Sequence, residues 1–339
     1  MSEKKRHIFR NTGIIVCAVF LFLIIAYDIY LSTGKYEDTY LAMGTVITAD
    51  IRGRNSEKAS KEIREEISAL EESVLSWRVE DSDVGRINAN SGKDVSIPGE
   101  LAYYIQQSID LSEKCGGAFD ITLGKLTQLW NIGSGNEKVP SESEIKAALE
   151  TVGADSILIN DNSVRINNRQ QLDLGAVGKG IACEYAKNIL DTYSIKSATV
   201  SVGGSVLIYG KAASVGIVNP KDDSKYFATL KLKDKYVSTS GSYERYFEAD
   251  GKKYHHILDP STGYPAENDL LSVTVVCGSG FLSDALSTAC FVMGYKSSLG
   301  ILSQYNAEAV YVFSDGTYAV TDGLSDVFTL TDSSFKVKK

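Results

Sequence analysis

Residues Tyr243–Pro265 read YERYFEADGKKYHHILDPSTGYP. Asp250-Gly251 within it is a two-residue hairpin signal, because a type I′ turn needs positive φ at both positions and Asp-Gly tolerates it. That places Tyr243–Glu248 and Lys253–Leu258 on adjacent antiparallel strands. The chain leaves the hairpin through HHILDPSTGYP, which holds two of the three histidines and two of the five prolines. Asp-Pro and Gly-x-Pro steps hold the backbone tightly. Taken alone this is a rigid loop after a strand, and its function depends on what accompanies it.

Working outward, the second half is mostly strand-like. Ala198–Tyr209 carries Gly203-Gly204, and Val215–Val218, Tyr226–Leu232, Val237–Gly241, Leu271–Val276, Ala309–Phe313 and Thr317–Val320 are apolar or alternate. The first half is richer in helix. Over Ser56–Leu75, Ala59, Ile63, Ile67, Leu70 and Val74 recur at helical spacing. Pro98 opens a second helix that ends near Gly116-Gly117. Ser141 and Glu144 form a capping box at the start of a third. Tyr40–Ile51 reads as a strand interrupted at Met43-Gly44-Thr45. Ser76–Asn88 is turn-rich, with Trp77 exposed in it. Residues 32–39 read as a linker. The pattern predicts an α+β fold of mixed, mostly antiparallel sheets flanked by helices.

The 339 residues carry a net charge of −8. Residues 1–31 carry +2, so the rest carries −10, which argues against a nucleic-acid partner. Within Gly13–Leu31, Ile14–Tyr27 is free of charge and the stretch is long enough as a helix for about 28 Å of hydrocarbon. We read residues 1–31 as a cytoplasmic stub and uncleaved transmembrane signal anchor. Lys4–Arg10 then stays inside, and the remaining chain, 40–335 as one domain, is extracytoplasmic at the cell membrane. The five cysteines are widely spaced, with no C-x-x-C, and read as buried small hydrophobes.

Two segments carry chemistry. In LDLGAVGKGIACEYAKNIL, which contains Asp173, glycines 175, 178 and 180 precede a helix, as in backbone cradles for anions. It is not a P-loop, which would need Gly at 173 and Ser or Thr at 180. In the helix Phe281–Met293, Asp284, Ser287 and Thr288 share one face. Polar oxygens on so apolar a helix need partners. A metal is one possibility, and helix capping or a neighbouring backbone is the other. Hard oxygens beside a phosphate cradle suit Mg²⁺, whereas zinc lacks spaced ligands and Ser-His-Asp hydrolysis lacks G-x-S-x-G. The residues point to phosphoryl or nucleotidyl transfer from a nucleotide diphosphate.

The ordered segments LAMGT, GGAFDITLGKL, LDLGAVGKG, VSVGG, VSTSGSYERYFEADGKKYHHILDPSTGYP and SDALSTACFVMG resemble the ApbE family of FAD:protein FMN transferases, from about Tyr40 to about Val320. The resemblance implies a T-fold-like ApbE domain with FAD in a cleft between the early α-rich and later strand-rich portions. It implies Mg²⁺-dependent transfer of the FMN half of FAD to a threonine hydroxyl of a target flavoprotein, a membrane or surface electron-transfer protein, with release of AMP. Met43, Trp77, Ala118, Phe119, Asp120, Asp173, Lys179 and Leu258 match FAD-contacting positions. Ala176 (through its carbonyl), Asp284, Ser287 and Thr288 match metal-ligand positions, and His256 matches the histidine near the reacting phosphate. His256 and Asp284 are therefore the catalytic candidates, and His255 is a strand residue.

The chain departs from the family at three places. Trp77 stands where tyrosine is frequent, Ser287 replaces an aspartate found in some members, and Ile181-Ala182-Cys183-Glu184 replaces Tyr-Ala-Ala-Asp. Two other readings share these residues: an FAD pyrophosphatase, with water as acceptor, and a non-catalytic surface FAD-binding protein.

Overall fold

The computed structural model describes residues 18–23 and 34–338. Residues 18–23 are helical (α1). The rest of the proposed anchor, Gly13–Leu31, lies outside the described residues, and among the described residues no helix is long and apolar enough to cross a membrane.

The strands run β1 (Lys35–Ala42), β2 (Thr45–Gly53), β3 (Val95–Ser96), β4 (Leu158–Asn160), β5 (Ser163–Arg165), β6 (Ile195–Val202), β7 (Ser205–Tyr209), β8 (Ala213–Asn219), β9 (Asp222–Leu232), β10 (Lys235–Gly241), β11 (Tyr246–Ala249), β12 (Lys252–His255), β13 (Leu270–Cys277), β14 (Glu308–Phe313), β15 (Thr317–Val320), β16 (Phe328–Leu330) and β17 (Lys336–Val337). The helices are α2 (Ser56–Ala69), α3 (Asp83–Ala89), α4 (Gly99–Lys114), α5 (Gly124–Trp130), α6 (Glu142–Leu149), α7 (Gly178–Thr192), α8 (Gly280–Met293) and α9 (Tyr295–Gln304).

Nine strands form the central sheet in the order β1-β2-β6-β7-β10-β13-β14-β15-β17, antiparallel throughout except for β15 with β17. Helices α2, α7, α8 and α9 pack on one face and bury the main core, including Ile63, Ile67, Ile181, Val200, Val273 and Leu286. The small sheet β16-β9-β8 covers the other face, where Phe227 and Leu230 meet Ile208, Val237, Val276 and Val312. The α+β, mostly antiparallel expectation holds.

Four local readings are corrected. Residues 35–39 are strand, not linker. Tyr36, Asp38, Tyr40 and Ala42 alternate with more exposed neighbours, so a polar edge strand had looked like a connection. What read as one interrupted strand is a hairpin: Leu41 pairs with Val46, and Met43 and Gly44 have φ of 54° and 65°, as a two-residue type I′ turn requires. The helix read over Ser56–Leu75 changes at Leu70, and Leu70–Leu75 is a π-helical turn. Trp77, read as exposed, is half-buried against the main core, with the Arg78 guanidinium 4.2 Å above its ring. Helix α5 was not anticipated.

The Asp250-Gly251 turn has φ of 52° and 73° and joins β11 to β12 as a separate ribbon. The loop that follows folds back on itself: Leu258 bridges to Pro265, and the Asp259 N–H donates to the Tyr264 carbonyl at 2.8 Å. Trp130 closes over it. Its Nε1–H donates to the Gly263 carbonyl at 2.8 Å, and its ring meets Tyr254 and Tyr264.

Candidate active site

Helix α7 begins without a side-chain cap of its own. The first N–H groups of a helix lack intrahelical partners, and their dipoles favour negative charge. Asp284, only 3% exposed on the facing helix α8, meets that need: its Oδ2 accepts the Gly180 N–H at 2.9 Å. Such an approach requires bare backbone. A Cβ at Gly180 would lie 2.0 Å from the Gly280 carbonyl oxygen and 2.8 Å from Asp284 Cβ. The glycines of GAVGKG therefore serve helix crossing as well as backbone exposure. Burial raises the pKa of Asp284, while Lys179 and the Gly180 N–H act in the opposite sense.

Strand β10 presents Ser238 and Ser240 to α8, because side chains two apart share a face. Ser238 donates to Ser205 Oγ at 3.0 Å, and Ser205 donates to Asp284 Oδ1 at 3.2 Å. Ser240 Oγ lies 2.7 Å from Ser287 Oγ and 3.1 Å from Thr288 Oγ1. Ser287 is fully buried, and its hydroxyl donates to the Asp284 backbone carbonyl at 2.8 Å. Thr288 is half-buried.

The two histidines diverge. His255 is buried; its Nδ1 accepts the Ile257 N–H at 3.3 Å, so its Nε2 is the protonated nitrogen, facing the Ala266 carbonyl at 3.1 Å. Burial holds its pKa below the usual value. It is a structural residue. His256 has Nδ1 3.3 Å from the Arg245 carbonyl, a pure acceptor, so Nδ1 carries the proton and Nε2 keeps a free lone pair. Burial, then the Lys179 and Arg245 charges, push its pKa down to about 3. At neutral pH His256 is an uncharged base with Nε2 available.

Charged groups surround it. A Cβ at Gly204 would stand 3.4 Å from Glu244 Oε1 and 3.9 Å from Lys179 Nζ, so that bare glycine leaves room between an acid and a base. Burial among protein atoms raises the pKa of Glu244, although the residue as a whole is exposed. Arg245 donates to the Gly44 carbonyl at 3.4 Å, so the β1–β2 turn and the start of β11 meet beside His256. Lys179 and Arg245 together suit an anionic substrate.

Comparison with known proteins identifies the family. The sequence profile of the ApbE family matches residues 43–312. The chain belongs to the ApbE family. The FAD:protein FMN transferase of Treponema pallidum is 31% identical over 332 residues, covering 90% of this chain and 92% of that protein. The FAD:protein FMN transferase of Escherichia coli K12 is 29% identical over 81% of this chain and 83% of its own. Among solved structures, the ApbE protein of Thermotoga maritima superposes with a TM-score of 0.81 at 32% identity, covering 87% of this chain and 99% of its own. The apo flavinyl transferase ApbE of Pseudomonas stutzeri gives 0.76 at 28%, covering 87% and 96%.

The ApbE motifs converge in part. Met43 lies against α7, its Cε 3.3 Å from where a Cβ of Gly178 would stand, and its N–H donates to Glu71 at 2.5 Å. The Ala118–Gly124 loop runs beside the Asp173 segment, with the Asp173 N–H donating to the Ile121 carbonyl at 2.7 Å. Asp173 Oδ1 accepts the Gly175 N–H at 2.9 Å and braces the turn through Ala176 into α7. Asp120 uses both oxygens internally, on Thr122 and on the Ala154 N–H, and burial raises its pKa. It orders the loop. The side chains of Phe119 and Leu258 are buried in separate clusters, which leaves only backbone as what those residues could offer a ligand.

The sequence reading missed Ser205, Ser238, Ser240, Glu244 and Arg245. The period-two serines of VSTSG, opposite a helix with oxygens three and four apart, were the available signal.

Proposed function

We propose that this ApbE-family chain is an FAD:protein FMN transferase, which passes the FMN half of FAD to a threonine hydroxyl of a target flavoprotein and releases AMP. The observation that carries this reading is His256: a neutral imidazole whose Nδ1–H is held by the Arg245 carbonyl, with Nε2 open beside Lys179 and Arg245. A base must be unprotonated to act, and His256 is; its depressed pKa makes it a weaker base than one matched to the operating pH, and positioned bases contribute roughly 10²–10⁴-fold.

His256 Nε2 takes the threonine proton as the hydroxyl oxygen attacks the FMN phosphorus. The phosphoanhydride bond breaks, and its bridging oxygen leaves with AMP. Lys179 and Arg245 hold the diphosphate and offset its charge, and positioning with electrostatics supplies most of the rate in such transfers. The metal reading is supported by the donor set, a buried carboxylate with hydroxyls and a backbone carbonyl, all hard oxygen. Asp284 and Thr288, with the Ala176 carbonyl, would hold Mg²⁺, which would neutralise charge as the bond to AMP breaks. Ser287, fully buried and donating to a backbone carbonyl, fits a supporting place behind Thr288 better than a ligand position.

The signal anchor and the extracytoplasmic placement of the domain belong to the same proposal, supported by the uncharged run Ile14–Tyr27 after the basic Lys4–Arg10 stretch. The test is incubation with FAD and Mg²⁺, with and without a threonine-bearing target. Mass spectrometry then reads an FMN adduct and chromatography reads AMP. AMP without an adduct would make the chain an FAD pyrophosphatase, and no AMP in either arm would leave only a binding protein.

A further inference from the structure

The hydroxyls between β10 and α8 can be followed proton by proton. Each carries one proton and two lone pairs. Ser287 Oγ is 2.8 Å from the Asp284 carbonyl oxygen, a contact two bare oxygens would not make, so the Ser287 proton lies there. Ser287 is then the acceptor in its 2.7 Å contact with Ser240, and the Ser240 proton is used. Thr288 is left as the donor in its 3.1 Å contact with Ser240.

We propose that Ser240 is a positioning residue: it holds the Thr288 proton inward and so turns the Thr288 Oγ1 lone pairs toward a bound divalent cation. A hydroxyl free to rotate would present its proton to the cation in part of its conformers. Ser240 fixes the rotor without touching the ion. Second partners of this kind orient ligands, and losing one commonly costs 10–100-fold in metal affinity. The inference rests on the reading that Asp284 and Thr288 hold the cation. Ser205 on β7, fed by Ser238 on β10, donates to Asp284 Oδ1, so β10 reaches Thr288 directly and Asp284 through β7.

The test is Mn²⁺ binding to the full chain without FAD, read by electron paramagnetic resonance of the free ion. Ser240→Ala should raise the Mn²⁺ Kd about tenfold, while Ser240→Thr, which keeps the hydroxyl, stays near wild type. Thr274→Val is the control. Thr274 pairs with Thr239 on the opposite face of β10, at 2.9 Å, so its loss should leave Mn²⁺ affinity unchanged. Should Ser240→Ala fail to fold, Ser240→Cys, a weaker donor of similar size, carries the same expectation. Wild-type affinity in a folded Ser240→Ala or Ser240→Cys chain, with Asp284→Ala and Thr288→Ala both losing Mn²⁺, overturns the role of Ser240 alone. Undiminished binding in Asp284→Ala and Thr288→Ala overturns the metal reading beneath it.

Discussion

Gly180→Ala tests the physical basis of the site most directly. The new Cβ would stand 2.0 Å from the Gly280 carbonyl oxygen, where real contacts exceed 3.0 Å, so α7 and α8 must separate by roughly 1 Å. Overpacking of this kind costs about 1–3 kcal/mol. Separation also breaks the 2.9 Å bond from the Gly180 N–H to Asp284, a charge-assisted bond worth about 1.5–3 kcal/mol. Better helix propensity returns about 1 kcal/mol. The net loss is about 2–5 kcal/mol, a large part of the roughly 5–15 kcal/mol that holds a domain together. At roughly 2–4 °C per kcal/mol, the unfolding temperature should fall on the order of 10 °C. The paired control is Gly300→Ala. Gly300 is exposed within α9 with nothing within 4 Å of a new Cβ, so the same change should stabilise slightly. Calorimetry of the two variants decides the matter. A fall below 2 °C for Gly180→Ala, or an equal fall for Gly300→Ala, would refute the close-crossing argument.

Replacing His256 by Gln should leave FAD bound, by equilibrium dialysis, and slow transfer roughly 10²–10⁴-fold; lost binding would make His256 structural. The same variant has a pH signature. A histidine with its folded pKa lowered contributes stability that is complete above its unfolded value of about 6.5 and is lost as pH falls toward about 3. Acid unfolding of His256→Gln should therefore start at lower pH than that of wild type, and coincident curves would contradict the assigned protonation state. Asp284→Ala should abolish Mg²⁺-dependent flavinylation of a target, and comparable turnover in the variant would sink the metal assignment. Trp130→Phe leaves the Gly263 carbonyl without its donor and should cost about 1–3 kcal/mol, read by denaturant unfolding; an unchanged midpoint would mean that the HHILDPSTGYP loop holds itself.

Short-range patterns in the chain were enough to locate several elements. Asp250-Gly251 specifies its turn because few residues accept positive φ twice in succession. Ser141 and Glu144 cap α6 as their spacing requires. Asp284 and Thr288 share a helix face at any tertiary arrangement, because 3.6 residues make a turn. The ordered motifs also sufficed to indicate the ApbE family. Each of these facts is settled within a few residues of itself.

The partners across space were not legible in that way. The sequence offered capping and metal binding as partners for Asp284, and only the crossing of α7 over α8 shows that one oxygen caps Gly180 and the other accepts from Ser205, each keeping a further lone pair. His255 ends β12 and His256 follows it, and their rings meet different carbonyls, those of Ala266 and Arg245. Which of them meets the charged groups depended on the face that ribbon β11–β12 presents to Lys179, a residue 77 positions earlier in the chain. Strand β1 was hidden because an edge strand keeps polar side chains on its solvent side. Periodicity assigns residues to faces, but which faces meet depends on pairing between distant segments, and at this site that pairing aligned the serines of β10 with the oxygens of α8.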